Sequence, residues 1–316
     1  MRVAAVDCGT NSVRLLIADV VGDTPTDVAR RMEIVRLGEG VDRTGRLSPE
    51  AIDRTRRALL GYAAEIAELG VTAVRMVATS ATRDASNAAD FRAMVRGVLG
   101  VDPEVISGDE EARLSFTGAV RGLVAEPPYL IVDIGGGSTE FVTGGSAITG
   151  AISVDVGCVR MTERYLTSDP PTAAQIAAAE ADITAAVDRA LAAVPGRGAT
   201  TLVGLAGSVT TVTALALGLP EYDATRIHHA RVGYDAVAKV TADLLAATVA
   251  ERRALPVMHP GRADVIGAGA LILRTIMERS GLRSVVASEH DILDGICYGL
   301  ALGEPGTRSQ HRPRRS

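Results

Sequence analysis

The sequence predicts two related α/β domains, and three observations lead there. The first is a pair of matching hairpins. Residues 130–140 read LIVDIGGGSTE. Leu130, Ile131 and Val132 form an apolar, partly β-branched run suited to a buried strand, and Asp133 stands at its polar end. Gly135, Gly136 and Gly137 follow, Ser138 and Thr139 add hydroxyls, and Glu140 opens a second apolar run with Phe141 and Val142. The start of the chain repeats the plan. Val3 to Val6 lead to Asp7, the turn Cys8-Gly9-Thr10-Asn11-Ser12 follows, and Val13 to Val20 returns as VRLLIADV. The second observation is that strand-like and helix-like segments alternate in both halves. The third is an aliphatic core: 47% of 316 residues are hydrophobic, with no Trp and three Phe, which suits α/β layers.

Each hairpin tip combines a carboxylate with a turn in which glycine lets a phosphate approach main-chain N–H groups closely. Two such tips imply two half-molecules addressing one metal-bound polyanion. The bulk properties exclude several other classes. A net charge of −5 gives no whole-protein attraction to nucleic acid or anionic lipid. Cys8, Cys158 and Cys297 are odd in number and lack CxxC spacing, which argues against a disulfide framework or a zinc site. Residues 1–20 are interrupted by Arg2, Asp7, Arg14 and Asp19, unlike a signal peptide, and no uncharged apolar run is long enough to span a bilayer. A cytoplasmic protein with no membrane or nucleic-acid partner is the expectation.

In chain order, Met32 to Leu37 reads as a third strand and Gly38 to Arg46 as a charged, glycine-containing loop. Ser48 is placed to cap a helix that begins at Pro49 and runs to Leu69, where Gly70 ends it. The strand Val71 to Ala78 delivers Thr79 to Arg83 to a loop before a helix over Ala88 to Leu99. Arg83 there suits a phosphate, because a guanidinium matches phosphate oxygens in a fork; a surface or capping role is equally open on this residue alone. After a short strand over Glu104 to Ser107, a helix starts at Gly108-Asp109-Glu110-Glu111 and continues to Val124. Acids in a first helical turn are favoured by the helix dipole, and Glu111, held beside a phosphate, would also accept a proton from water.

Pro127-Pro128 reads as the joint between domains, giving domain I over 1–126 and domain II over 127–305. In the second, a third strand (150–156), a short helix (Arg160 to Tyr165) and an alanine-rich packing helix (Thr172 to Val194) follow the hairpin. The strand Thr201 to Leu205 leads through Ala206-Gly207-Ser208 into a helix, a turn that would offer N–H groups and hydroxyls to an anion or serve as a plain cap. Helices over Tyr234 to Val249 and Val265 to Ser280, the loop Met258 to Asp264, a strand over Ser284 to Ser288 and a helix to Leu302 complete it. His259 lacks a second histidine at metal spacing and reads as structural or phosphate-facing. Residues 306–316, with Arg308, Arg312, Arg314 and Arg315, read as a disordered tail.

Taken as an ordered set, the turn Asp7 to Ser12, the loop Ala78 to Arg83, Ser107 to Arg113, Asp133 to Glu140 and Pro260 to Asp264 resemble the Ppx/GppA family of exopolyphosphatases and guanosine pentaphosphate phosphohydrolases. The resemblance covers residues 1 to about 302. It implies two related actin-like, ribonuclease H-like domains of the sugar kinase, Hsp70 and actin superfamily, with a cleft between them. It also implies Glu111 as catalytic base and Glu140 as second catalytic carboxylate, with Asp7 and Asp133 at Mg2+ or Mn2+. Phosphate-binding positions would be Gly9, Thr10, Asn11, Ser12, Arg83, Gly135, Gly136, Gly137, Ser138, Gly207 and Ser208. Larger family members carry a further helical domain that this chain lacks, and Ser208 stands where many relatives have a second glycine or a threonine turn. The activity implied is release of orthophosphate from inorganic polyphosphate or pppGpp. A phosphotransferase of the same fold, such as a sugar or acetate kinase, is the alternative. A non-catalytic ATPase-like scaffold or filament former is a third reading, and a homodimer is left open.

Overall fold

The computed structural model describes residues 1–21, 24–194 and 198–303. The chain forms two compact units, Met1–Gly118 together with the segment that begins at Ile292, and Ala119–Asp291. Unit 1 contains β1 (Arg2–Cys8), β2 (Ser12–Val21), β3 (Thr24–Ile34), α1 (Val41–Thr44), α2 (Pro49–Glu68), β4 (Ala73–Ala78), α3 (Ser80–Asp84), α4 (Ala88–Leu99), β5 (Glu104–Val105) and the start of α5 (Gly108–Val120). Its sheet has the order β3-β2-β1-β4-β5, with β2 antiparallel to β1 and β3, and with β4 parallel to β1 and β5.

Because strand side chains alternate between faces, β1 buries two different sets. Ala4, Val6 and Cys8 join Leu59, Tyr62 and Ile66 of α2 and Phe91, Val95 and Leu99 of α4 in one cluster. Val3 and Ala5 join Leu16, Ala18, Leu114 and a C-terminal helix in the other. Ser48 caps α2 as expected, its hydroxyl accepting from the Ala51 N–H at 3.1 Å. Two expectations in this unit change. The third strand lies at Thr24–Ile34, not at Met32 to Leu37; it is a polar edge strand, defined by backbone pairing along the whole of β2 and not by burial. Arg83 sits on the short helix α3 instead of in a loop.

Unit 2 contains β6 (Tyr129–Ile134), β7 (Thr139–Gly144), β8 (Ile148–Val154), α6 (Cys158–Tyr165), α7 (Ala173–Ala193), β9 (Thr201–Leu205), α8 (Ala206–Ala216), α9 (Ala224–Ile227), β10 (Arg231–Gly233), α10 (Tyr234–Ala246), α11 (Val249–Arg253), α12 (Ile266–Ser280) and β11 (Ser284–Ala287). Its sheet order, β8-β7-β6-β9-β11, repeats that of unit 1 and adds β10 at the edge. The fold is thus duplicated. The helix expected over Tyr234 to Val249 breaks in two, because Thr248 caps a new helix in a capping box with Glu251.

The last helix, α13 (Ile292–Leu302), packs in the unit 1 cluster with Val3, Ala5 and Leu16. This corrects the assignment of residues 127–305 to one domain. An apolar stripe such as Ile292, Leu293, Ile296 and Leu300 fits either sheet, and nothing in its period says which. The units part between Gly118 and Ala119, inside α5, and not at Pro127-Pro128. The arginine-rich tail lies outside the described residues. Among the described residues no helix is long and apolar enough to cross a membrane.

Three histidines cluster at the end of the second sheet. The His228 and His229 rings stack at 3.7 Å, and His290 lies 4.4 Å from His228. The Glu289 N–H donates to His228 Nδ1 at 3.2 Å. Burial and the neighbouring His290 hold the His229 pKa below its usual value. The unfolded chain therefore binds this proton more readily, so stability is full above about pH 6.5 and is lost as pH falls from there through the folded value. His229 has φ 63°, which Asn tolerates, so His229→Asn should fold and flatten the acid-side fall in melting temperature between about pH 7 and pH 5. Melting curves across that range test it.

Candidate functional site

In unit 1 the register pairs Asp7 with Arg14 and Cys8 with Val13, so Asp7 and Arg14 share a face at the end of the hairpin. Asp7 is buried, and its Oδ2 accepts from Arg14 Nε at 3.0 Å and Nη2 at 2.7 Å. The turn between the strands is closed by Gly9 N–H donating to Ser12 O at 3.0 Å. The segment after β3 then passes beneath it. N–H groups of Val35 and Arg36 donate to Asn11 O, and that of Gly38 donates to Thr10 O. The Thr10 and Ser80 hydroxyls share a buried hydrogen bond of 2.8 Å, and Gly38 makes room for the Thr10 side chain. With the turn carbonyls taken, the Thr10 and Asn11 N–H groups have no protein acceptor among the described residues.

Unit 2 builds the same device. Asp133 pairs with Glu140 across β6 and β7, and Gly135 N–H donates to Ser138 O at 3.0 Å. The start of α6 grips the carbonyls: Cys158 N–H donates to Gly135 O, Val159 and Arg160 N–H to Gly136 O, and Arg160 Nε to Gly137 O at 2.7 Å. Gly157 permits this, since a Cβ there would overlap the backbone of Gly136 and Gly137. The N–H groups of Gly136 and Gly137 have no protein acceptor among the described residues, which suits an anion.

The two hairpins differ in charge. Where unit 1 has Arg14, unit 2 has Glu140, so two buried carboxylates oppose each other, 8% exposed for Asp133 and 1% for Glu140. Ser153 Oγ donates to Glu140 Oε1 at 2.7 Å. Like charges directly opposite are unfavourable unless a proton or cation balances them. The donor set fits Mg2+, which binds through one or two carboxylates with substrate phosphates and water; among the described residues no cluster of three or more His, Cys, Asp or Glu forms a metal cage. Asp7 binds Arg14 through Oδ2 alone, so that pairing does not remove it from the expected metal set.

Arg83 and Glu111 also meet. Arg83 Nη1 donates to Glu111 Oε2 at 3.2 Å and to Ile106 O at 3.0 Å, fixing the carboxylate at the start of α5. Its Nε and Nη2 have no partner among the described residues, so the same guanidinium remains able to take a phosphate oxygen. Gly207 and Ser208 open α8 behind Ala206, a non-glycine residue with φ 67°. The Ser208 side chain is buried against Gly269, beside Cys158, whose thiol pKa burial pushes up. That turn therefore presents backbone, not the Ser208 hydroxyl.

One residue stood in a motif of the sequence but was given no role there. Arg262, at the end of the turn Pro260–Arg262, lays its guanidinium against Gly207, where any Cβ would overlap it. It makes no ion pair among the described residues, and buried Arg252 steadies its loop by donating to Asp264 O at 3.3 Å. A glycine directly after a strand and at a helix start was the available signal that something flat lies over it.

Two α/β units of one strand order, each ending in a glycine turn beside a buried acid, define a duplicated α/β protein. Comparison with known proteins narrows this: residues 16–304 match the Ppx/GppA phosphatase family, and the chain belongs to it. It is 50% identical over 314 residues to exopolyphosphatase 2 of Mycobacterium tuberculosis, covering 95% of this chain and 98% of that protein. Among solved structures it is similar to an exopolyphosphatase-like protein, with TM-score 0.93, 43% identity and coverage of 96% and 99%. It is also similar to a Ppx/GppA family member from Aquifex aeolicus, with TM-score 0.81, 31% identity and coverage of 96% and 99%.

The glycine loop yields a direct test. If this loop holds phosphate, tripolyphosphate should raise the melting temperature of the parent protein, and Gly157→Ala should remove that rise with the circular dichroism spectrum unchanged.

Proposed function

We propose that the protein is an exopolyphosphatase-type phosphohydrolase that removes terminal orthophosphate from inorganic polyphosphate, with pppGpp as the second substrate of the same chemistry. The observation that carries this reading is the opposed carboxylate pair Asp133–Glu140 beside an open amide edge, matched in unit 1 by a glutamate held at a helix start by an arginine. The 50% identity to an exopolyphosphatase favours polyphosphate.

Phosphoanhydride hydrolysis needs its negative charge neutralised, a water held in line with phosphorus, and a proton accepted late in the step. The N–H groups of Thr10, Asn11, Gly136 and Gly137 would take phosphate oxygens, with the guanidinium groups of Arg83 and Arg262. Asp133 and Glu140 would hold Mg2+ or Mn2+, whose chemistry when bound is to neutralise those oxygens. Glu111, oriented by Arg83, would accept the proton of the attacking water as the new P–O bond forms and the bridging P–O bond breaks. The products are orthophosphate and a chain one unit shorter.

The test is phosphate release with Mg2+ from short polyphosphate, long polyphosphate, pppGpp and ATP side by side, with and without candidate acceptors. Polyphosphate should be hydrolysed without an acceptor; transfer only to a sugar or acetate would make the protein a kinase. Glu111→Gln should melt as the parent does and lose about 10²–10⁴-fold in kcat. On this reading Asp133→Asn should abolish the same activity. It should also weaken Mn2+ binding measured by calorimetry in the presence of a non-hydrolysable phosphate analogue. A Glu111→Gln protein with parental kcat would remove Glu111 from this role.

A further inference from the structure

We propose that Gly295, on the C-terminal helix α13, is a positioning residue for Glu111; the inference rests on Glu111 being the proton acceptor. Gly295 is buried and touches α5 backbone to backbone: a Cβ there would overlap the O, C and Cα atoms of Leu114. Leu114 lies three residues after Glu111, one turn further along the same helix. Around the contact, Leu114, Ile292, Leu293 and Ile296 are all buried in one cluster with Val3, Ala5 and Leu16 of the sheet. On its other side α13 is fastened to β3, where Asp294 accepts from Arg30 Nη2 at 2.8 Å and Nη1 at 3.3 Å. A methyl group added at position 295 therefore has no soft neighbour to displace. With α13 anchored on the sheet, the shift falls on α5, and Glu111 moves with it.

Alanine is otherwise the better residue in a helix interior, so any loss in Gly295→Ala reports the contact and not helix propensity. Displacing a reacting group by about 1 Å costs on the order of 10²-fold in rate. Gly295→Ala should lower kcat by that order with KM little changed, since the glycine turns at residues 9–12 and 135–138 are untouched. In a Glu111→Gln background the same substitution should cost nothing further, because it acts through the group already removed. Leu114→Ala, which loosens the side-chain cluster that seats α5 on α13 without adding bulk, is the second variant should Gly295→Ala fail to fold. It should lower kcat and be equally silent in the Glu111→Gln background. A parental kcat, or a loss that multiplies with that of Glu111→Gln, overturns the proposal. A Glu111→Gln enzyme of parental activity would instead overturn the functional assignment on which it stands.

Discussion

The arrangement of both half-sites depends on where the carbonyl groups of two short turns go. A backbone carbonyl that is not exposed to water must find a donor, and the turns at Thr10–Asn11 and Gly135–Gly137 find theirs in the chain segment that follows the third strand of each sheet. Once those oxygens are held on one side, the amide hydrogens are presented on the other. The strand order, the close approaches at Gly38 and Gly157, and the hydroxyl tie between Thr10 and Ser80 all serve that one orientation. Glycine is needed here less for unusual torsion than for thinness: the gripping segment must lie against bare backbone.

Duplication supplied two copies of this device, and a single exchange of charge made them different. At matching register positions, Arg14 pairs with Asp7, whereas Glu140 faces Asp133. The first is an ion pair held through Asp7 Oδ2. The second sets two buried carboxylates face to face, with Ser153 donating to one of them. The same scaffold thus carries an ion pair at one hairpin and two facing acids at the other.

Much of this was legible in the amino-acid order. The hairpins, the strand-helix alternation and the acids at the strand ends follow from local patterns of two, of three to four, and of glycine. What was not legible depended on partners distant in sequence. The polar edge strand β3 has no apolar signature, because its place is fixed by pairing with β2. The Arg83–Glu111 ion pair joins residues whose types suggest two separate roles, and only the fold reveals that one holds the other. Arg262 was visible as part of a motif, but its target, the flat surface of Gly207, lies far away in the chain. The side taken by α13 was equally hidden, since its stripe would satisfy either sheet.

That last helix has a consequence for how the molecule is made. Unit 2 is continuous in sequence, while unit 1 takes residues from both ends of the described chain. A nascent polypeptide emerging from the ribosome can therefore finish its second unit first. The face of the opening sheet formed by Val3, Ala5 and Leu16 stays bare until the final turns of helix are released. The half that is synthesised first is the half that folds to completion last.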